Sequence, residues 1–371
     1  MKARGLRIGL VGPLPPPSGG MANQTLQLAR LLREDGATVE VIQVNAPYSP
    51  RWVERLKGIR AGFRLIPYLV RLWRSTSRVD LYHIMANSGW SWHLFAAPAV
   101  WIARMTGKPV IVNYRGGEAE AFFDKAFTWV KPTMDQADAI IVPSDFLGSI
   151  FRKRGWQTRI VPNIIDMGRF SADSRAFSVT PAAPSILVAR NLEPLYDNPT
   201  ALRAFEIVKR SFPSARMVIA GSGPQRQLLE KLAAELGVER AVTFAGRVEN
   251  EDMAKLYCNA DVALNPSLAD NMPISILEAL ACGVPVVSTN VGGIPKLVEH
   301  EKTAILVPPQ NAEKMADAIL SVLCDPVKAS RLKKAGSASV LQYTWPKVRL
   351  RLLEVYQDVL AQRGQLIAKT K

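Results

Sequence analysis

Twice in succession along this chain, short runs rich in β-branched residues alternate with longer stretches of helical period. That alternation commits a chain to parallel sheets covered by helices on both faces, since parallel neighbours need a long crossover between them. The first series predicts strands at Arg7 to Val11, Val39 to Val44, Leu81 to Met85, Pro109 to Tyr114, Ala139 to Val142 and Arg159 to Val161. The second predicts strands at Ser185 to Ala189, Arg216 to Ala220, Val242 to Ala245, Val262 to Asn265, Pro285 to Ser288 and Ala304 to Val307. Between them, Ser171 to Pro184 is rich in Ser, Ala and Pro, lacks periodicity and reads as a surface linker. The expectation is therefore an α/β fold with two Rossmann-like domains, residues 1–170 and 171–345, and a last helix within 346–371 that can cross back to the first domain.

The bulk numbers agree with two packed cores: 371 residues, 48% hydrophobic and 21% charged. No apolar stretch is long enough to span a bilayer, and the apolar run after Met1 is too short for a signal-peptide core, so an intracellular protein is expected. The 3 cysteines, Cys258, Cys282 and Cys324, have no metal-ligand spacing. A formal charge of +15 implies an acidic partner. Most of the excess lies in the first half, where residues 1–165 hold 22 Lys and Arg against 11 Asp and Glu, a difference of +11. No basic motif with interleaved base-stacking aromatics accompanies it, which argues against a nucleic-acid partner.

In open α/β sheets, ligands sit outside the carboxyl ends of strands, where glycines admit close approach and helix N-termini favour anions. Three loops in the second half have that position: Ala220-Gly221-Ser222-Gly223-Pro224, Asn265 to Pro273, and Ser288 to Pro295 with Gly292-Gly293. Each alone is a weak signal, but their order and spacing carry more. The run from Ala260 to Ser267, then Asp270 to Glu278, then Ala279 to Val287, followed by Gly292-Gly293-Ile294-Pro295, resembles the signature of family-four glycosyltransferases.

The resemblance is strongest from Arg190 to Pro308 and thinner before residue 140. It implies the GT-B fold, two Rossmann-like domains facing a central cleft, and transfer from a nucleoside diphosphate sugar with retention of anomeric configuration. It implies that Asp270 lies near the donor sugar and that Glu278 accepts from the ribose hydroxyls. Amides of Asn271, Met272 and Ile274 can face phosphate oxygens, Gly221 and Gly223 admit the donor's close approach, and the resemblance puts Arg190 on the pyrophosphate, which makes Asp270 and Arg190 the catalytic candidates of this half. The family's phosphate-binding Lys position falls on Tyr196, a departure for which Arg247 is a candidate substitute. The nucleotide sugar is a substrate; no cofactor is implied. No Asp-x-Asp motif occurs, in keeping with the metal independence that the resemblance implies.

In the first half, a proline-rich loop ending in Gly19-Gly20 precedes a helix expected near Asn23, and similar family loops close on the donor. Arg115, in Asn113 to Glu118, stands where related enzymes often carry a His, and is a catalytic candidate able to pair with a carboxylate or phosphate. His83 is assigned to a strand and no His is chosen as base. Residues 51 to 74 place Trp52, Leu56, Ile59, Phe63, Ile66, Val70 and Trp73 on one helical stripe flanked by Arg60, Arg64, Arg71 and Arg74. Pro67 predicts a break or kink. The stripe suits either a helix lying on an anionic membrane surface or a core-facing helix with a solvated edge.

These readings converge on a hexosyltransferase for a lipid-linked or polysaccharide acceptor, peripheral on the inner face of the cell membrane. An epimerase on the same scaffold and a catalytically silent scaffold are the alternatives. Base, sugar, acceptor and linkage leave no fixed pattern in sequence.

Overall fold

The computed structural model describes residues 3–16, 19–48, 51–56, 60–171 and 183–370. Most of the expected linker, residues 172–182, lies outside them, as do Pro17, Ser18 and Ile59. The chain divides into two compact units: Met1–Ile164 with Trp345–Lys371, and Ile165–Thr344. The second unit starts before residue 171 because Ile165 and Phe170 already belong to its core, with the Phe170 ring 6.1 Å from that of Tyr257.

The first unit holds a parallel sheet of β1 (Arg7–Gly12), β2 (Thr38–Gln43), β3 (Leu81–Ala86), β4 (Val110–Tyr114), β5 (Ala139–Val142) and β6 (Arg159–Ile160), in the order β2-β1-β3-β4-β5-β6. Strands β3 and β4 are buried along their whole length, as strands covered on both faces must be. One face carries α2 (Arg60–Ser75), α3 (Ala97–Met105), α4 (Ala119–Met134) and α5 (Asp145–Arg152) over a core that includes Tyr82, Trp92, Tyr114 and Phe123. The other carries α1 (Gly20–Glu34) and a last helix, Trp345–Thr370, whose Val348, Leu352, Leu353 and Tyr356 close the core over Ile8, Leu81 and Ile141.

The second sheet, also parallel, has β7 (Ser185–Val188), β8 (Arg216–Ala220), β9 (Val242–Gly246), β10 (Val262–Asn265), β11 (Val286–Thr289) and β12 (Ile305–Val307) in the order β12-β11-β10-β7-β8-β9. Helix α6 (Asn198–Ser211) and α7 (Arg226–Glu235) cover one face, and α8 (Asn250–Cys258) and α9 (Ile274–Ala281) the other. The strand order reverses between β7 and β10. A crevice therefore opens at their carboxyl ends, where ligands of such sheets bind.

Two expectations are corrected here. Helix α1 begins at Gly20 rather than Asn23, with the Asn23 amide already donating to Gly19 O at 2.9 Å. Of the expected break or kink at Pro67, the break is excluded, since α2 runs from Arg60 through it to Ser75. The missing amide is tolerated because Tyr68 and Leu72 on the same helix are buried and the Tyr68 hydroxyl donates to Phe95 O at 2.7 Å.

Candidate active site

At the switch point of the second sheet, Arg190 follows β7 and Asn265 ends β10. The register that pairs Leu264 with Val188 sets them side by side. Arg190 Nε donates to Asn265 Oδ1 at 2.7 Å, and its Nη2 lies 2.7 Å from Asp270 Oδ2, with side-chain exposures of 10% and 15% for the ion pair. Asn265 Oδ1 also accepts from Ser267 Oγ at 2.7 Å, while its amide donates to Ser288 Oγ at 3.0 Å. The guanidinium of Arg190 lies over the Tyr196 ring, 5.2 Å from its centroid. Tyr196 thus brings no second charge and instead supplies a π-face to the first. Arg247, the suggested substitute, is exposed and has no acidic partner among the described residues.

Asp270 does not cap α9, whose N-cap is Pro273. Its Oδ1 accepts from its neighbour's amide, Asn271 N, at 2.8 Å, which leaves Oδ2 for Arg190. Asn271 and Met272 are buried and Ile274 opens α9, so the three sit together at the N-terminus of that helix. Glu278, one turn further, accepts from the Tyr257 hydroxyl at 3.0 Å. Desolvation pushes the Glu278 carboxyl up to about 7, against the opposing effects of the Tyr257 hydrogen bond and the charges of Arg190 and Arg169. The Tyr257 phenol is itself raised, by burial first and by Glu278 second. Beside them a small cavity lined by Ala189, Tyr257, Asn265, Ser275 and Ala279 holds Ser275 Oγ, which has no partner among the described residues.

The glycines have a packing reason within the protein. A Cβ on Gly221 would collide with Arg190 O, and one on Gly223 with Leu192 O. Added to Gly292 or Gly293 it would strike the carbonyls of Asp270 and Asn271, and the Gly293 amide donates to Asp270 O at 2.9 Å. These four positions are small so that one strand-end loop can press on another. Their effect is to fix Arg190 and Asp270.

In the first unit, a Cβ on Gly19 or Gly20 would meet nothing within 4 Å, so both stand open at the N-terminus of α1. Arg115 follows β4, where its Nε donates to Asn113 Oδ1 at 3.1 Å and its Nη1 to Asn163 Oδ1. Asn113 also bonds His83 Nε2 at 2.9 Å, and His83 Nδ1 bonds the Tyr356 hydroxyl at 2.8 Å. Burial lowers His83 to about 3, and the charge of Arg115 acts in the same direction, so the ring is neutral. The expected stripe faces away from the core: Trp52, Leu56, Phe63, Ile66, Val70 and Trp73 are all exposed. The core-facing alternative for that segment is thereby excluded.

Sequence reading singled out Arg190, Asp270 and Glu278, which the structure brings together, but gave no role to Tyr257, Asn265, Ser275 or Asn163. Asn265 had a usable signal, being a polar end to the apolar strand Val262–Asn265. The pairing of Tyr257 with Glu278 had none, since two helices must first be packed.

Comparison with known families decides the kinship. The family described as "Glycosyltransferase Family 4" matches residues 18–169, and "Glycosyl transferases group 1" matches 173–339. The chain belongs to the family-four glycosyltransferases of GT-B fold. A D-inositol 3-phosphate glycosyltransferase of Saccharomonospora viridis is 30% identical over 61% of this chain and 57% of that relative, less than two thirds of its length. A GDP-mannose-dependent alpha-(1-6)-phosphatidylinositol monomannoside mannosyltransferase of Mycobacterium tuberculosis is 27% identical over 92% of this chain and 95% of its own. Among solved structures, sucrose-phosphate synthase of Thermosynechococcus elongatus has a TM-score of 0.73 at 23% identity, covering 96% of this glycosyltransferase and 100% of that chain. Anabaena HepE in complex with UDP has a TM-score of 0.74 at 16% identity, covering 95% and 100%. None of these four is named as an epimerase.

Proposed function

We propose that this glycosyltransferase moves a hexose, with retention and without a metal ion, from a nucleoside diphosphate sugar to a lipid-linked or polysaccharide acceptor at the inner face of the cell membrane. The observation that carries the donor half is the convergence of Arg190, Asp270 and Glu278 at the switch point of the second sheet, beside the N-terminus of α9. As the sugar leaves, negative charge grows on the diphosphate. A fixed guanidinium and the amides of Asn271, Met272 and Ile274 stabilise that charge more in the transition state than before it. Asp270 holds Arg190 in place and is the carboxylate nearest the sugar in this reading. Glu278 accepts from the ribose hydroxyls.

The acceptor half is supported by the outward stripe of α2 with exposed Arg71 and Arg74 beside it, in a unit of marked positive charge. No helix among the described residues is long and apolar enough to cross a membrane, which leaves lipid contact to such a surface. The relative that acts on a phosphatidylinositol mannoside supports a lipid-linked acceptor.

Calorimetric titration with UDP-, GDP-, ADP- and TDP-sugars should find one that binds, with affinity lost in Glu278→Ala; no binding by any of them ends the reading. The anomeric proton coupling of the product distinguishes retention from inversion, and turnover in EDTA tests the absence of a metal. In liposome flotation the chain should rise with anionic vesicles at low salt, and Trp73→Glu with Ile66→Glu should abolish this.

A further inference from the structure

Arg115 is desolvated enough for its pKa to fall to about 10, yet no carboxylate pairs with it among the described residues. Its two side-chain partners, Asn113 and Asn163, are neutral and themselves buried. A charge partly withdrawn from water without a counter-charge is unfavourable, and an anion beside it offsets that cost.

The surrounding bonds have one permitted direction. A guanidinium only donates, so Asn113 must turn its Oδ1 to Arg115 and its Nδ2 to His83. His83 Nε2 must then accept and carry no proton, which puts the ring proton on Nδ1, facing the Tyr356 oxygen. The bond series Tyr356–His83–Asn113–Arg115 therefore starts on the last helix and ends by fixing the plane of the guanidinium. Beyond Arg115, Gly116 is pressed against Ser88 and Asn87, while a Cβ on Gly117 would meet nothing within 4 Å. Helix α4 then starts without a side-chain cap. Arg115 itself keeps partial contact with solvent, and its guanidinium is a fork suited to tetrahedral oxygens.

We propose that Arg115 forms a phosphate-binding site on the acceptor side of the reaction, with Asn113, His83 and Tyr356 as its positioning residues. The assignment rests on the glycosyltransferase reading above and narrows it: the acceptor carries a phosphate. The donor's diphosphate offers the same chemistry, and the experiment must separate the two sources.

The probe is inorganic phosphate, titrated by calorimetry into the full chain with and without a saturating nucleoside diphosphate, chosen as the UDP, GDP, ADP or TDP that binds. Phosphate should still bind when the nucleotide is present. Arg115→Gln should weaken it about tenfold or more, and Arg115→Lys less, because a point charge lacks the fork. Tyr356→Phe keeps the ring and should weaken phosphate about threefold in the parent, but not in an Arg115→Gln background, where nothing is left to aim. A merely structural tyrosine would act equally in both. Unchanged phosphate affinity in Arg115→Gln, or in Arg115→Lys if the first variant does not fold, overturns the site. Loss of phosphate binding on nucleotide addition and in Arg190→Gln, with Arg115→Gln unaffected, assigns the anion to the donor and overturns the acceptor assignment. Failure of every nucleotide to bind defeats the donor reading alone, since phosphate titration without nucleotide still tests Arg115.

Discussion

Glu278 is withdrawn from water beside Tyr257, and the desolvation that lifts its carboxyl to about 7 makes its ionisation unfavourable in the folded chain. A carboxyl whose folded pKa lies above its ordinary 4.5 binds more protons folded than unfolded between those values, so stability falls as pH rises through that window. The loss should be on the order of 2–3 kcal/mol between pH about 5 and 8. Glu278→Gln keeps an acceptor for Tyr257 but does not titrate, so urea midpoints at the two pH values should converge in the variant relative to its parent. Equal slopes in both proteins would show that the carboxyl is not the titrating group. At this scale the sequence was informative where a motif fixes spacing, as for Asp270 and Glu278. It was silent on Tyr257 and Asn163, whose partners lie 21 and 48 residues away along the chain.

At the scale of elements, strand-end loops hold one another. Gly221 lets the loop after β8 lie on Arg190, and Gly292, at φ +56, lets the loop after β11 lie on Asp270. Gly221→Ala should cost about 2 kcal/mol or more, as overpacking against backbone does, and should lower turnover further by shifting Arg190. A variant with wild-type melting temperature and activity would contradict that packing. Elements were the most legible scale. Strands such as β4 and β10 stand where β-branched runs put them. The start of α1 and the passage of α2 through Pro67 were not legible, because tertiary packing outweighs a local preference of this size. Nor could period alone tell which way the aromatic stripe of α2 faced, since a buried and an outward apolar face share it.

For the whole molecule, the last helix is the decisive element. Its Val348, Leu352, Leu353, Val355, Tyr356 and Val359 are buried in the first unit, and Arg349 and Arg363 pair with Asp35 at 3.0 Å and Asp138 at 3.1 Å. Six buried apolar side chains represent roughly 10 kcal/mol of burial, comparable to the stability of a whole domain. A chain truncated after Thr344 should therefore lose amide-exchange protection in β1, β3 and β4 while β7, β10 and β11 keep theirs. Retained protection in the first sheet would refute this.

Where the chain enters and leaves the second unit, the Ile165 amide donates to Tyr343 O at 3.0 Å, so the way in and the way out lie side by side. On a ribosome this order has a cost in time. The middle of the polypeptide has all its parts before the beginning does, and the opening 164 residues wait, one sheet face covered by α1 alone, for a helix still to be translated. Nascent chains of this protein should depend on chaperones most in that interval, and rare codons shortly before Trp345 would lengthen it.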